Sequence, residues 1–463
     1  MRSFRKVLCG VLSVCALAAP SLAADTYVNP VGATIHASGA DQPKLSVLAY
    51  DLTDSIITDP NGEPVVFDAY VDTGASGFVI SYLTARGYLF NSLFGAEWVP
   101  GLYMDGAPLP EFIGEFTEVG LGGPELGDVT GPNFFGLRVR NGQVLAPTYA
   151  LDKDGFPVAV PPVVDPSEFV DYGKHSLWVR KQEGFGERVS AFGMDVAVQP
   201  MNIVGMPLIQ QTKMVMDPTT LASGDELNPG KMTTNLLPKS APDPAANMRF
   251  HLRLHDFIGT PEPNETLPAH AKNPVFDGAV FGSNTGGSML LVENNAMLFD
   301  TGATSSFIDF RLMQQIGAID PNYASYDEYL ADYSGILLTA AGIGSIDGPV
   351  SIPLEELTEL RIPDANGDMV IWRNVVVGVL DFGDLGQGAI QGVVGLNLLL
   401  PASTVDLATF TEYGSNPGYF DMICFETIDE DSARLDVLYN PAPEPTSLLL
   451  LGLGAAVLVR KRK

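Results

Sequence analysis

The chain has 463 residues, 26 Lys and Arg against 55 Asp and Glu, and a net charge of −29. At 46% hydrophobic and 17% charged it holds ample material for packed cores, which excludes a disordered acidic tail; the acidic balance excludes nucleic acid as a partner, because phosphate binding needs clustered Lys and Arg. The 48 Gly and 35 Pro, without a collagen period, imply many turns between short strands, and the length suits two lobes.

Residues 1–24 read as a secretory signal peptide. Arg2, Arg5 and Lys6 form a basic start, residues 7–18 are apolar, and Ser21-Leu22-Ala23 is a small-x-small cleavage site. Cys9 and Cys15 fall inside it, so the exported chain keeps Cys424 alone and forms no internal disulfide. Its place in Met422-Ile423-Cys424-Phe425 marks it as a buried small hydrophobe.

The first informative segment begins with the hairpin signal Asp59-Pro60-Asn61-Gly62. An apolar strand then runs into Asp72-Thr73-Gly74-Ala75-Ser76, and a second strand follows with Phe78, Val79 and Ile80. Further on, Glu115 to Gly123 reads as a strand ending in a turn. Residues 148–187, rich in Pro and Asp, read as a surface loop or cleft-rim insertion, the loop being favoured. Ile203-Val204-Gly205 comes next, followed by a strand that ends at Asp217. The Pro-, Asn- and Ser-rich residues 223–246 read as a linker.

The second half repeats this plan. Asn284-Thr285-Gly286-Gly287 is a hairpin signal, and an apolar strand leads into Asp300-Thr301-Gly302-Ala303-Thr304. Val393-Val394-Gly395 matches Ile203-Val204-Gly205, and a strand reaching Asp406 follows. Between them, Asp364-Ala365-Asn366-Gly367-Asp368 has the turn chemistry of a hairpin rather than a calcium loop, since the distal Glu is missing. His251 and His255 share a face of a strand and lack an evident third partner for zinc.

Two Asp-Thr-Gly-Ala-Ser/Thr segments, each followed downstream by two apolar residues and a glycine, resemble the pepsin-like (bilobal) aspartic proteases over roughly residues 44–440. The resemblance implies a mostly β fold of two lobes with a substrate cleft between them. The lobes would be residues 25–222 and 247–440, joined by 223–246. It implies Asp72 and Asp300 as catalytic carboxyls, with Thr73, Gly74, Thr301 and Gly302 building their loops. Gly205 and Gly395 would back those loops. Ser76 and Thr304, two residues beyond each loop glycine, are placed to donate to the carboxylates and hold their planes. Tyr103, beside Asp105-Gly106, is the candidate for a tyrosine on a hairpin flap. The implied activity is exported endopeptidase action on a polypeptide, without metal or cofactor. The alternative is a non-catalytic surface or matrix protein that uses the same scaffold for binding.

The end of the chain reads Pro443-Glu444-Pro445, then an apolar run over 448–459, then Arg460, Lys461, Arg462 and Lys463. The apolar run is shorter than the ~20 residues a full membrane span needs, so a transient anchor is expected. This order resembles the PEP-CTERM sorting signal of exopolysaccharide-producing Gram-negative bacteria. It implies an exosortase as partner and the cell surface or extracellular matrix as destination.

Overall fold

A computed structural model of the chain describes most of residues 25–440; residues 1–24, 82–115, 120–134, 181–186, 224–229, 258–269, 341–349 and 441–463, with some shorter stretches, lie outside the described residues. The signal peptide, Tyr103 and the expected transient anchor therefore lie outside them. Among the described residues no helix is long and apolar enough to cross a membrane.

The chain is mostly β, and the described residues form two large sheets and three two-stranded ones. The eight-stranded sheet takes all its strands from the first half: Phe116–Val119, Leu177–Arg180, Val79–Ser81, Ile203–Val204, Val66–Val71, Lys44–Tyr50, Phe135–Arg140 and Phe169–His175, in that spatial order. The 13-stranded sheet is built mainly from the second half. Alternation drives the strand choice. In Val66–Val71, Phe67, Ala69 and Val71 turn inward and are buried, as a period of two requires.

Two of the expected hairpins are realised, while Asp59, Pro60 and Asn61 of the first lie outside the described residues. Asn273–Thr285 pairs antiparallel with Ser288–Phe299, and Gly287 takes φ 86° at the turn. Val350–Pro363 pairs with Met369–Leu380 around Asp364, whose Oδ1 accepts from the amides of Asn366 (2.8 Å) and Asp368 (2.9 Å). His251 and His255 lie on the strand Met248–His255.

Two expectations are corrected. Residues 148–187 are not a plain loop. They contain the hairpin Thr148–Leu151 with Pro157–Val160, and then two strands of the eight-stranded sheet, Phe169–His175 and Leu177–Arg180. Residues 223–246 are not wholly linker either, since Thr233–Pro238 is a strand paired with Thr212–Asp217.

Strands from the two halves interleave. Thr212–Asp217, from the first half, pairs antiparallel with Phe420–Thr427 near the end of the second. Thr26–Tyr27 pairs parallel with Met369–Leu380. Under this shared sheet runs an aromatic series. Phe250 meets Phe276 at 5.7 Å between centroids, Phe276 meets Phe299 at 5.8 Å, and Phe299 meets Phe425 at 5.9 Å. All four are buried, and each such side chain contributes roughly 1.5–3 kcal/mol of burial. Phe299 precedes Asp300, so the series anchors the second aspartate to the core. Cys424 is buried beside it, as expected, and burial pushes its thiol up to about 12.

A cluster of paired charges closes the same junction. Arg249 Nε and Nη2 donate to Asp436 Oδ1 (2.5 Å) and Oδ2 (2.9 Å). Arg434 Nη2 reaches Glu426 and Asp243, both at 2.7 Å. Lys213, whose side chain is 2% exposed, bonds Asp243 and donates to the carbonyl of Ala241 at 2.8 Å. Asp436 is the nearly buried member, with a side chain 3% exposed, and it faces both Arg249 and Arg434, so removing its charge leaves those cations without their counter-charge in a poorly solvated setting. We therefore expect Asp436→Asn to lower the unfolding free energy by about 3 kcal/mol. Arg253→Ala, which breaks the more exposed pair with Asp277, should cost less than about 1 kcal/mol. Urea titration checks this, and equal losses would contradict it.

Candidate active site

The two Asp-Thr-Gly segments meet where the sheets abut. Each aspartate ends an apolar strand and is fixed from behind by the matching Val-Gly strand. The amide of Asp72 donates to Val204 O at 3.0 Å, and that of Asp300 to Val394 O at 3.1 Å. Ile203–Val204 lies parallel to Val66–Val71 and antiparallel to Val79–Ser81. Gly392–Val394 stands in the same relation to Ser288–Phe299 and Phe307–Asp309.

The glycines after these valines are required by space. A Cβ on Gly205 would overlap the carbonyl of Gly77, and one on Gly395 the carbonyl of Ser305. The next amides complete the backing: Met206 N donates to Ala75 O and Leu396 N to Ala303 O, both at 2.9 Å. Gly205 and Gly395 thus sit against the loops, as the sequence implied.

Thr73 and Thr301 interlock the two loops. Thr73 N donates to Thr301 Oγ1 at 3.1 Å, and Thr301 N to Thr73 Oγ1 at 3.1 Å. Each hydroxyl donates onward across the junction, Thr73 Oγ1 to Phe299 O (2.7 Å) and Thr301 Oγ1 to Val71 O (2.6 Å). Both side chains are fully buried.

The loop amides then grip the carboxylates. Asp72 Oδ1 accepts from Gly74 N (2.7 Å) and Ala75 N (3.1 Å). Asp300 Oδ1 accepts from Gly302 N (2.8 Å) and Ala303 N (3.1 Å). The glycines also permit the approach of the two carboxyls. A Cβ on Gly74 would overlap the carboxyl of Asp300, and a Cβ on Gly302 that of Asp72.

The outer residues of the motifs behave less symmetrically. Ser76 was expected to orient Asp72, but its Oγ donates to Asn273 Oδ1 at 2.5 Å. Asn273 Nδ2 in turn donates to Thr73 O at 2.9 Å, so Ser76 steadies the loop through a partner from the other half. Thr304 is half-buried at the corresponding place beside Ala303. Sequence reasoning missed Asn273, and it missed Gln42, whose side-chain amide donates to Gly302 O. Neither carries a local motif, because both act through contacts with residues distant in the chain.

Asp72 and Asp300 face each other across the two loop glycines, close enough for each to shift the other's titration. Burial first, and then the charge of Asp300, raise the Asp72 carboxyl well above the ordinary range. Burial raises Asp300 too, against the pull of Asp72 and the loop amides. Both keep a partly exposed face, so they stay within reach of water. Two carboxyls so placed titrate as a pair that retains one proton above the usual carboxylate range. That leaves one group able to accept a proton and one able to donate. Among the described residues, no group of three or more His, Cys, Asp or Glu is gathered as a metal site. His255 sits with its ring nitrogen 3.1 Å from the Arg253 guanidinium, a poor setting for a cation.

Comparison with known proteins adds the following. Residues 441–463 match the PEP-CTERM protein-sorting motif, which implies recognition by an exosortase and export. No curated protein matches the chain. Among solved structures, the crystal structure of Basic 7S globulin from soybean aligns with a TM-score of 0.32 and 9% identity, covering 86% of this chain and 95% of that one.

Two outcomes follow from the geometry. Thr301→Val strips partners from the buried Thr73 amide and Val71 carbonyl and should cost about 3 kcal/mol in urea unfolding, whereas Thr301→Ser should retain most of the stability. Equal losses would show that the hydroxyl is dispensable. For the dyad, the folded carboxyls are raised, so their stabilising contribution is complete below the unfolded value near 3.8 and is lost as pH rises through the folded values. Asp72→Asn should therefore raise Tm relative to wild type at pH 7, with the advantage shrinking toward pH 4. Calorimetry showing a lower Tm at pH 7 would contradict this.

Proposed function

We propose that this protein is an exported aspartic endopeptidase with a two-lobed, pepsin-like fold. The observation that carries the reading is the pair of carboxyls, Asp72 and Asp300, brought face to face across the loop glycines and gripped by matching amide pairs. The ionised member of the pair takes a proton from a water held between them. The resulting hydroxide attacks the scissile carbonyl, which the protonated member polarises. The same group then helps protonate the departing amine. The symmetry of the site leaves either aspartate eligible as the base.

In this reading the lobes are residues 25–222 and 247–440, with the strand-bearing 223–246 between them. The polypeptide substrate lies across the dyad. The C-terminal motif routes the enzyme through an exosortase to the cell surface or extracellular matrix of a Gram-negative bacterium.

Activity on a denatured protein should follow a bell-shaped pH profile. It falls at low pH as the second carboxyl of the pair takes up a proton. It falls at high pH as the pair, raised above the ordinary range, gives up its shared one. Asp72→Asn and Asp300→Asn should each reduce kcat/KM by about 10²–10⁴-fold or more. Cleavage by both variants at the wild-type rate would overturn the assignment, as would the absence of wild-type cleavage from pH 3 to 7.

A further inference from the structure

Beside the dyad, the first half presents ionisable groups that the chemistry above leaves unused. Alternate residues of a strand share a face, so Asp68 and Tyr70 lie on the face of Val66–Val71 that leads to Asp72. The neighbouring strand sets Ser46 opposite Asp68 and Lys44 opposite Tyr70, and directly opposed residues share a face. Gln42, two residues before Lys44, reaches the carbonyl of Gly302 in the other aspartate's loop. The Lys44 and Tyr70 end of the row therefore lies beside the aspartate loops, while at its other end Arg140, opposite Ser46, is partly exposed and paired with Glu168.

Its floor is apolar. Tyr70 and Ile203 are buried together, with Ala75 and Val79 against them. Above this floor lies Lys44 Nζ, 4.5 Å from the centroid of the Tyr70 ring. Lys44 remains partly exposed and stands in no ion pair among the described residues. Asp68 is close enough for the Lys44 charge to act on its carboxyl. Ser46 Oγ lies 3.3 Å from Asp68 Oδ1 and accepts from Leu145 N at 2.7 Å, which ties the face to the following loop.

We propose that Lys44, held over Tyr70, is a specificity-determining cation that takes the carboxylate of a Glu or Asp side chain of the polypeptide substrate next to the scissile bond, with Asp68 setting when it is available. This rests on the peptidase reading of Asp72 and Asp300. Burial pushes the Asp68 carboxyl up to about 6, against the opposing pulls of Ser46, Lys44 and Lys231. Above that pH the Asp68 charge offsets Lys44. Below it Asp68 is neutral, while a substrate glutamate stays ionised down to about 4.3. The preference for an acidic side chain is therefore greatest near pH 5.

The test uses the full exported chain and peptides that differ only by Glu, Gln or Lys at single positions around one cleavage site. At one position, kcat/KM for Glu should exceed that for Gln by about five- to tenfold at pH 5 and by about twofold or less at pH 7. Lys44→Glu should invert the order so that the Lys peptide is preferred, an outcome that misfolding cannot imitate. Asp68→Asn should preserve the acidic preference at pH 7. An unchanged Glu to Gln ratio in Lys44→Glu would overturn the proposal while leaving the peptidase reading intact. If no peptide is cleaved, the peptidase reading fails. Fluorescence anisotropy with the labelled Glu and Gln peptides then decides the subsite: equal affinity overturns it, and a Glu preference lost in Lys44→Glu supports it.

Discussion

Two threonine hydroxyls that cross between the halves of the chain hold the whole arrangement in place. Each accepts the amide of the opposite threonine and donates to the carbonyl two residues before it, and both are removed from water. Such a closed set is costly to open, because every member would be left desolvated without a partner. It fixes the relative position of the loops and therefore of the carboxyls they carry. Gly74 and Gly302 belong to the same constraint. With any side chain at either position, the interlock would drive a Cβ into the opposite carboxyl.

The constraint spreads outward through repeated local solutions. Val204 and Val394 hold the aspartate amides, and the glycines after them let the short helical turns that follow, Met206–Ile209 and Leu396–Leu398, start directly against the loop. Behind the loops, the shared sheet and the Phe250, Phe276, Phe299 and Phe425 series join first-half and second-half strands. The buried charge cluster around Arg434 completes this junction with opposite charges in contact. A site that gathers two carboxyls works against its own stability. The rigid surroundings are what keep them together.

Much of this was legible in the sequence, for local reasons. The Asp-Thr-Gly segments, their backing glycines and the hairpins at Gly287 and Gly367 depend on turn chemistry written in adjacent residues. The residues that failed to announce themselves act at a distance. Ser76 carries the pattern of a carboxylate partner, but Asn273 offers its hydroxyl a closer acceptor from another strand. Thr233–Pro238 sits in a segment whose composition reads as linker, and it becomes a strand because the edge of Thr212–Asp217 is there to pair with. Phe169–His175 and Leu177–Arg180 follow a Pro- and Asp-rich stretch whose breakers mask the strand signal, and they are recruited by Phe135–Arg140 and Val79–Ser81. The threonines of the interlock were visible as loop builders. Their mutual bonding was not, since it spans the two halves of the chain.

The central claim is that Asp72 and Asp300 hold one proton between them. Carbon-13 NMR of the carboxyl carbons, with aspartate labelled and pH varied, observes this directly. The account predicts a resonance that titrates above the ordinary aspartate range and disappears when either residue is changed to asparagine. If every aspartate assigned to the site completes its titration within the ordinary range, and neither substitution alters the other's titration, the two carboxyls are independent and the account is wrong.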